Sequence, residues 1–308
     1  MIEVVFIAGA PRSGSTLLDR LLGQLQGFFS LGELSFIWER GFIENHLCGC
    51  GTPFHECPFW TQVVANAYGG FDGIDPEYVW ALQRSVARIR HIPRMLYPSL
   101  RTRSYQSRFE VYSQYMMRLY RGIASQAKGQ VLIDSSKIPS HGIFLSLQPE
   151  LHLTVIHIVR DSRGVAYSWQ RKKRSPQIHW KEGYMAQHNN WYAVGEWMAW
   201  NLLDSLLKQR ARTYIPVRYE HLAEHPQQVL SDILAQLNKN VALDVFVGER
   251  KVYLQPAHTV GGNPMRFKQG EIPIRLDNEW QEKMASWRQH LIGWISRPLE
   301  KRIGLLER

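Results

Sequence analysis

The stretch FIAGAPRSGSTLL, from Phe6 to Leu18, constrains this chain more than any other part of it. Val4 to Ala8 is a continuous apolar run with β-branched residues, bounded by Gly9 and Pro11. That pattern predicts a strand buried on both faces, as in a parallel sheet. From Ser15 to Gln26 the apolar positions Leu17, Leu18, Leu21, Leu22 and Leu25 fall on one side of a helix. The order strand, glycine loop, helix is the setting of the phosphate-binding pattern G-x-x-x-x-G-K-[ST]. Gly9 and Gly14 stand at its glycine positions and Thr16 at its hydroxyl position, but Ser15 stands where the lysine belongs.

Backbone N–H groups in such a loop make an anion-binding nest, and the following helix adds its positive end. In a nucleotide hydrolase the lysine and a Mg²⁺ ion neutralise the outer phosphates, and an Asp closing a strand holds the metal. Asp134 in VLIDSS occupies a position of that kind. Arg12, by contrast, is a forked donor suited to a phosphate or sulfonate oxygen. Arg12, Ser13, Gly14, Ser15 and Thr16 together suit a 5′-phosphate carrying one further anionic group better than a metal-bridged triphosphate. A tight turn without a ligand is the plainer alternative, and four donor side chains weigh against it.

Further strands are predicted at VLIDSS, at Leu153 to Val159 and in TYIPVRYEHL, the last followed by a turn, with helices between them. The fold class expected is α/β: a parallel sheet flanked by helices, in a P-loop-like three-layer sandwich. Helical patterns at Pro76 to Ile92 and Tyr105 to Ala127 have no strand beside them, so residues 41–129 read as a helical cap or substrate-binding insertion in a single domain spanning 1–308. Arg160 follows a strand, where open α/β sheets bind ligands. Ser168 lies two helical turns further on, so both reach toward one anion; Asp161 is the alternative, structural partner for Arg160.

The formal charge is +10, which favours an anionic partner. The one dense run, Arg171, Lys172, Lys173 and Arg174, reads as a solvated helix end, and no nucleic-acid motif accompanies it. No apolar stretch approaches transmembrane length and the N-terminus reads as a strand, so a cytoplasmic protein without integral membrane association is expected. Cys48, Cys50 and Cys57 sit in HLCGCGTPFHECPFW with His46 and His55 nearby. Three thiolates and an imidazole, His55 being the candidate, are a possible zinc set. The C-x-C spacing is tighter than the common one, and cysteines packed like small hydrophobes are the preferred reading.

PRSGSTLL followed by VRDSRGVAYSW resembles the PAPS-dependent sulfotransferases, PAPS being 3′-phosphoadenosine 5′-phosphosulfate. The resemblance covers most of the chain. It implies that the first loop binds the 5′-phosphosulfate, that Arg160 and Ser168 bind the 3′-phosphate, and that Tyr219 in VRYEHL lies near the adenine. The late loop GGNPMRFKQG is similar to the one closing over the nucleotide, which implies a phosphate contact from Arg266, with Lys268 as a second candidate. Glu33 in SLGELSFIW resembles the catalytic base of the glutamate-base, tyrosylprotein-like branch, and Lys137 resembles that branch's catalytic lysine. Arg12 joins them at the transferring group. His141 is the nearest alternative base.

The activity implied is sulfuryl transfer from PAPS to a hydroxyl by in-line displacement, with no metal required. The alternatives are a P-loop kinase or NTPase with a degenerate lysine and a non-catalytic nucleotide-binding protein of the same fold. The aromatic-rich insertion suits a small-molecule, lipid-like or glycan acceptor. Peptide tyrosine is disfavoured, because that activity usually belongs to the secretory route and no signal sequence is seen. If the lysine's absence is a specificity device, Ser15→Lys does not create an ATPase; Mg²⁺-dependent ATP hydrolysis by that variant in a phosphate-release assay would contradict the reading.

Overall fold

A computed structural model describes residues 1–172 and 174–303; Lys173 of the basic run lies outside the described residues. Five parallel strands form the main sheet: β1 (Ile2–Ala8), β2 (Phe28–Gly32), β3 (Val131–Lys137), β4 (Leu151–Val159) and β5 (Thr213–Arg218), in the order β2-β3-β1-β4-β5. A small antiparallel sheet of β6 (Phe246–Gly248), β7 (Lys251–Leu254) and β8 (Gly270–Pro273) lies late in the chain.

The side-chain alternation of β1 explains the layering. Val4, Phe6 and Ala8 enter one core, while Val5 and Ile7 enter another on the opposite face. The second core is covered by α1 (Ser15–Leu22) and by residues of the helices Tyr219–Glu224 and Pro226–Gln236. The first is covered by α2 (Pro58–Tyr68), α3 (Pro76–Val86) and the long α4 (Arg103–Gln126), which belong to the inserted segment. Their aromatic residues Trp60, Tyr105, Tyr112 and Tyr120 are fully buried there. The Tyr120 hydroxyl donates to Asp134 Oδ2 at 2.8 Å, tying α4 to the middle of β3. A third core joins α5 (Ser162–Gln170), α6 (Asn190–Asp204) and α7 (Ser286–Arg302). The expected α/β sandwich is therefore present. Among the described residues no helix is long and apolar enough to cross a membrane.

Several elements differ from the sequence reading: the small antiparallel sheet was not anticipated, and the helix expected at Pro76 to Ile92 ends at Val86. The first helix ends at Leu22, not Gln26, with Gly23 as its C-cap, and the chain turns again at Gly27 (φ 86°) to enter β2. β2 itself was not anticipated. Its five residues follow a turn directly and carry no long apolar run.

Gly9 has φ 131°, and a Cβ there would meet the Ile158 carbonyl oxygen at 2.1 Å. The loop leaves β1 hard against β4, and only glycine fits. Gly27 is also left-handed but has open space around it. Gly9→Ala is expected to lower stability by upwards of about 2 kcal/mol, combining strain with a clash. Gly27→Ala should cost only about 1 kcal/mol, from backbone conformation. Urea unfolding midpoints check the difference, and equal effects would contradict the clash.

Candidate active site

Parallel pairing aligns the strand ends. Ala8 of β1 faces Lys137 of β3, Gly32 of β2 faces Asp134, and Val159 of β4 faces Arg218 of β5. The residues that follow these ends are Glu33, the glycine loop, Arg160 and Tyr219. In sheet order the carboxyl edge therefore presents Glu33, Lys137, the loop, Arg160 and Tyr219. Ligands of open α/β sheets bind along this edge. A cleft of about 1780 Å³ lies over it, lined by Arg12, Gly14, Ser15, Thr16, Glu33, Lys137, Arg160, Ser168 and Tyr219. It exceeds the roughly 300–1,000 Å³ of common ligand sites and has room for two reactants.

At one end, Lys137 Nζ lies 2.5 Å from Glu33 Oε1 and donates to the Ser135 carbonyl at 3.0 Å. Arg40 Nη1 approaches Glu33 Oε2 at 3.2 Å. Both members of the central pair are buried. Burial alone would raise the Glu33 pKa, but Lys137 and then Arg40 hold it below the ordinary carboxylate value. The Glu33 backbone is fixed by its N–H to the Val260 carbonyl at 2.6 Å. The next turn is fixed by Ser35 N–H to Ser136 Oγ at 2.9 Å.

The loop is arranged for an anion. Gly9 N–H donates to the buried Asp204 Oδ2 at 2.8 Å. Burial raises the Asp204 pKa well above its usual range, against the pull of the Gly9 hydrogen bond. The amides of Gly14, Ser15 and Thr16 have no backbone carbonyl partner among the described residues. Arg12 sits in the left-handed region (φ 73°), as does Lys137 (φ 68°). For long side chains this is an uncommon, costly conformation that tends to persist at functional sites. Arg12 Nη2 donates to the Ser168 carbonyl at 2.9 Å. Its pKa falls to about 10 through burial and the neighbouring Arg160 and Arg171, so it stays cationic at neutral pH.

Arg160 stacks on the Tyr219 ring at 4.5 Å. It donates to the Arg12 carbonyl at 3.1 Å and lies 3.2 Å from Asp277 Oδ2. Asp277, which the sequence reading missed, is therefore its ion-pair partner. Asp161 instead caps α5 and pairs with Arg163. Ser168 is buried beside Arg12 and lines the cleft.

Other candidates fall elsewhere. Asp134 accepts from Tyr120, His141 and Ser136, using both its oxygens on protein donors and leaving little for a metal. His141 is buried against it, away from the cleft lining. Arg266 is turned inward, donating to the carbonyls of Thr259 at 2.5 Å and Leu47 at 2.6 Å. Lys268 lines the cleft in its place. His55 bonds the Phe42 carbonyl and stands apart from the three cysteines; His258, more than 200 residues along the chain, joins them instead. His46 lines the cleft, its pKa pushed down to about 4 by burial and then by Arg40 and Arg266.

The chain belongs to the sulfotransferase family, whose model matches residues 4–242. A solved sulfotransferase domain from the Synechococcus PCC 7002 olefin synthase aligns at 20% identity with a TM-score of 0.50, covering 92% of this chain and 89% of that one. The sulfotransferase domain from the curacin biosynthetic pathway aligns at 19% identity with a TM-score of 0.49, covering 96% and 98%. A sulfotransferase from Alicyclobacillus acidocaldarius aligns at 15% identity with a TM-score of 0.45, covering 99% and 96%. At such identities the likeness is one of fold. Among curated proteins no match was found.

Removing one member of a buried ion pair leaves the other charge stranded, at a cost of roughly 3–5 kcal/mol. Glu33→Gln and Lys137→Met are each expected to be destabilising, and the double variant less so than the sum. A double-mutant cycle by urea unfolding should give a coupling of about 1–3 kcal/mol. Because Glu33 has a depressed folded pKa, the coupling should be full above its unfolded value of about 4.3. It should be lost as pH falls through the lower folded value. Additive effects at neutral pH would contradict the pair.

Proposed function

We propose that this sulfotransferase uses PAPS to sulfate the hydroxyl of a small-molecule, lipid-like or glycan acceptor, without a catalytic metal. The observation that carries the reading is the Glu33–Lys137 pair at 2.5 Å, standing at the strand ends next to the anion-binding loop. The residues fit the donor. Loop amides and Arg12 suit a 5′-phosphosulfate. Arg160, Ser168 and Lys268 suit the 3′-phosphate, and Tyr219 with its stacked Arg160 suits the adenosine end.

The donor supplies an activated sulfuryl group joined to phosphate through a bridging oxygen. Transfer forms a bond from the acceptor oxygen to sulfur and breaks the bond from sulfur to the bridging oxygen. The acceptor proton passes to Glu33 as general base. Lys137 and Arg12 neutralise charge at the departing oxygen. Lys137 cannot hold the sulfonate and Glu33 at full strength together. When it turns to the sulfonate, Glu33 loses the cation that depresses its pKa and becomes the stronger base. Two further features favour this reading over a kinase or NTPase: the loop has no lysine, and the oxygens of Asp134 are committed to protein donors.

The cleft wall carries apolar and aromatic side chains among the charged Arg174, Lys181 and Glu182. Phe36, Ile178, Trp180, Tyr184, Met185 and Trp200 line the cleft. Of the inserted segment 41–129, only His46 reaches the lining, so Ile178 to Met185 supply most of the apolar side chains an acceptor would meet.

Incubating the chain with sulfur-labelled PAPS and a host extract, without divalent metal, is expected to label small products. Glu33→Gln should lower turnover by about 10²–10⁴-fold, the usual contribution of a general base. Lys137→Ala should abolish labelling. Both should keep their thermal shift with adenosine 3′,5′-bisphosphate, and His46→Ala should keep most activity. No labelled product, together with stabilisation by Mg²⁺-ATP but not by the bisphosphate, would overturn the reading.

A further inference from the structure

The cysteine-rich turn takes no part in the chemistry above. Its geometry is nevertheless specific: the Sγ atoms of Cys48, Cys50 and Cys57 and a ring nitrogen of His258 all lie within 4.8 Å of one another. We propose that these four residues bind a structural Zn²⁺ ion that clamps the late loop against the segment carrying Glu33.

Four of the six distances between the ligand atoms lie close to tetrahedral edges, and the other two are within 4.8 Å. Cys57 Sγ lies 3.6 Å from Cys48 Sγ and 3.7 Å from Cys50 Sγ. His258 Nδ1 lies 3.2 Å from Cys57 Sγ and 4.0 Å from Cys48 Sγ. Zinc bonds of about 2.3 Å to sulfur and about 2.0 Å to nitrogen give tetrahedral edges of about 3.8 Å between sulfurs and about 3.5 Å from sulfur to nitrogen. A disulfide, at about 2.05 Å, would use two thiols and leave the third and the imidazole without a role. Simple apolar packing does not explain a ring nitrogen aimed among three sulfurs.

The backbone is shaped for the site. Gly51 (φ 95°) closes the turn, its N–H donating to the Cys48 carbonyl at 2.9 Å. A Cβ on Gly49 would meet Thr259 Oγ1 at 2.3 Å and the Ala257 carbonyl oxygen at 2.4 Å. Glycine there lets the turn lie directly against the segment that bears His258. Cys57 stands at the N-terminus of α2, whose dipole favours a thiolate. Phe59, from the same helix, stacks on the His258 ring at 5.2 Å.

Charge supplies an independent argument. Three thiolates and one Zn²⁺ carry a net charge of −1. Arg266 is only 2% exposed and has no salt bridge among the described residues. Its guanidinium bonds the carbonyls of Leu47 and Thr259, which adjoin Cys48 and His258. An anionic zinc centre provides this buried cation with its counter-charge.

The clamp reaches the active site through two residues. Val260 accepts from Glu33 N–H at 2.6 Å and donates to the Leu31 carbonyl at 2.8 Å. The cysteines do not line the cleft, so the ion has a structural role and the reaction proposed above does not use it. The thiols lose their protons on binding, and His258 binds through neutral Nδ1.

The test is metal analysis of the full-length chain, purified without a metal-affinity column or chelator. One zinc per chain is expected. Exchange with Co²⁺ should give the intense visible absorption of a tetrahedral thiolate site. His258→Cys should keep the metal, whereas His258→Ala should weaken zinc affinity by upwards of about tenfold. Chelation should lower the melting temperature and expose residues 255–268 to protease. A metal-free chain whose melting temperature does not respond to zinc would overturn the proposal, as would a disulfide among these cysteines found by mass analysis under non-reducing conditions.

Discussion

The ion pair between Glu33 and Lys137 joins the ends of two neighbouring strands, and the organisation of the cleft follows from it. β2 and β3 pair in parallel, so their carboxyl ends lie side by side. A carboxylate and an ammonium group are thereby brought to 2.5 Å at a buried position. Each charge would be costly alone, and together they are tolerated because Arg40 and the Ser135 carbonyl satisfy their remaining capacity. The arrangement is stable only while nothing better competes for Lys137. In the proposed reaction an incoming sulfonate is such a competitor, and losing Lys137 to it would make Glu33 more basic at the moment a base is needed.

The rest of the edge extends the same principle. Burial, and then the neighbouring Arg160 and Arg171, lower the pKa of Arg12, with Asp277 as the opposing anion. A surplus of buried positive charge seeks an anion. Arg12 and Lys137, the two cations facing the transferring group in the proposed reaction, are both held at positive φ. That conformation is unfavourable for either residue in isolation, and it aims their side chains into the cleft. The late loop supports the site from behind, through Val260 and the inward-turned Arg266.

Much of this was legible in the sequence because the site sits where apolar runs stop. Lys137, Arg160 and the glycine loop each lie at or just after a strand that is recognisable from its β-branched core residues. Glu33 was found from its motif alone, since β2 is only five residues long and follows directly on a turn. Arg266 and Lys268 lie two residues apart in one loop, and the sequence carries no signal for which one turns inward. His258 lies 201 residues from Cys57, so its approach to the cysteines depends on tertiary folding. His55, near in sequence, was the candidate fourth member, and it bonds the Phe42 carbonyl apart from the cysteines. Asp277 was hidden for the same reason: its partner Arg160 is 117 residues away.

The central claim is that Lys137 recognises the sulfonate and leaves Glu33 to do so. The most direct measurement is calorimetric binding of PAPS and of adenosine 3′,5′-bisphosphate, which lacks the sulfonate, to the wild-type chain and to Lys137→Ala. The account predicts that Lys137→Ala weakens PAPS binding and leaves bisphosphate binding nearly unchanged. Equal weakening of both ligands, or no change in either, would contradict it.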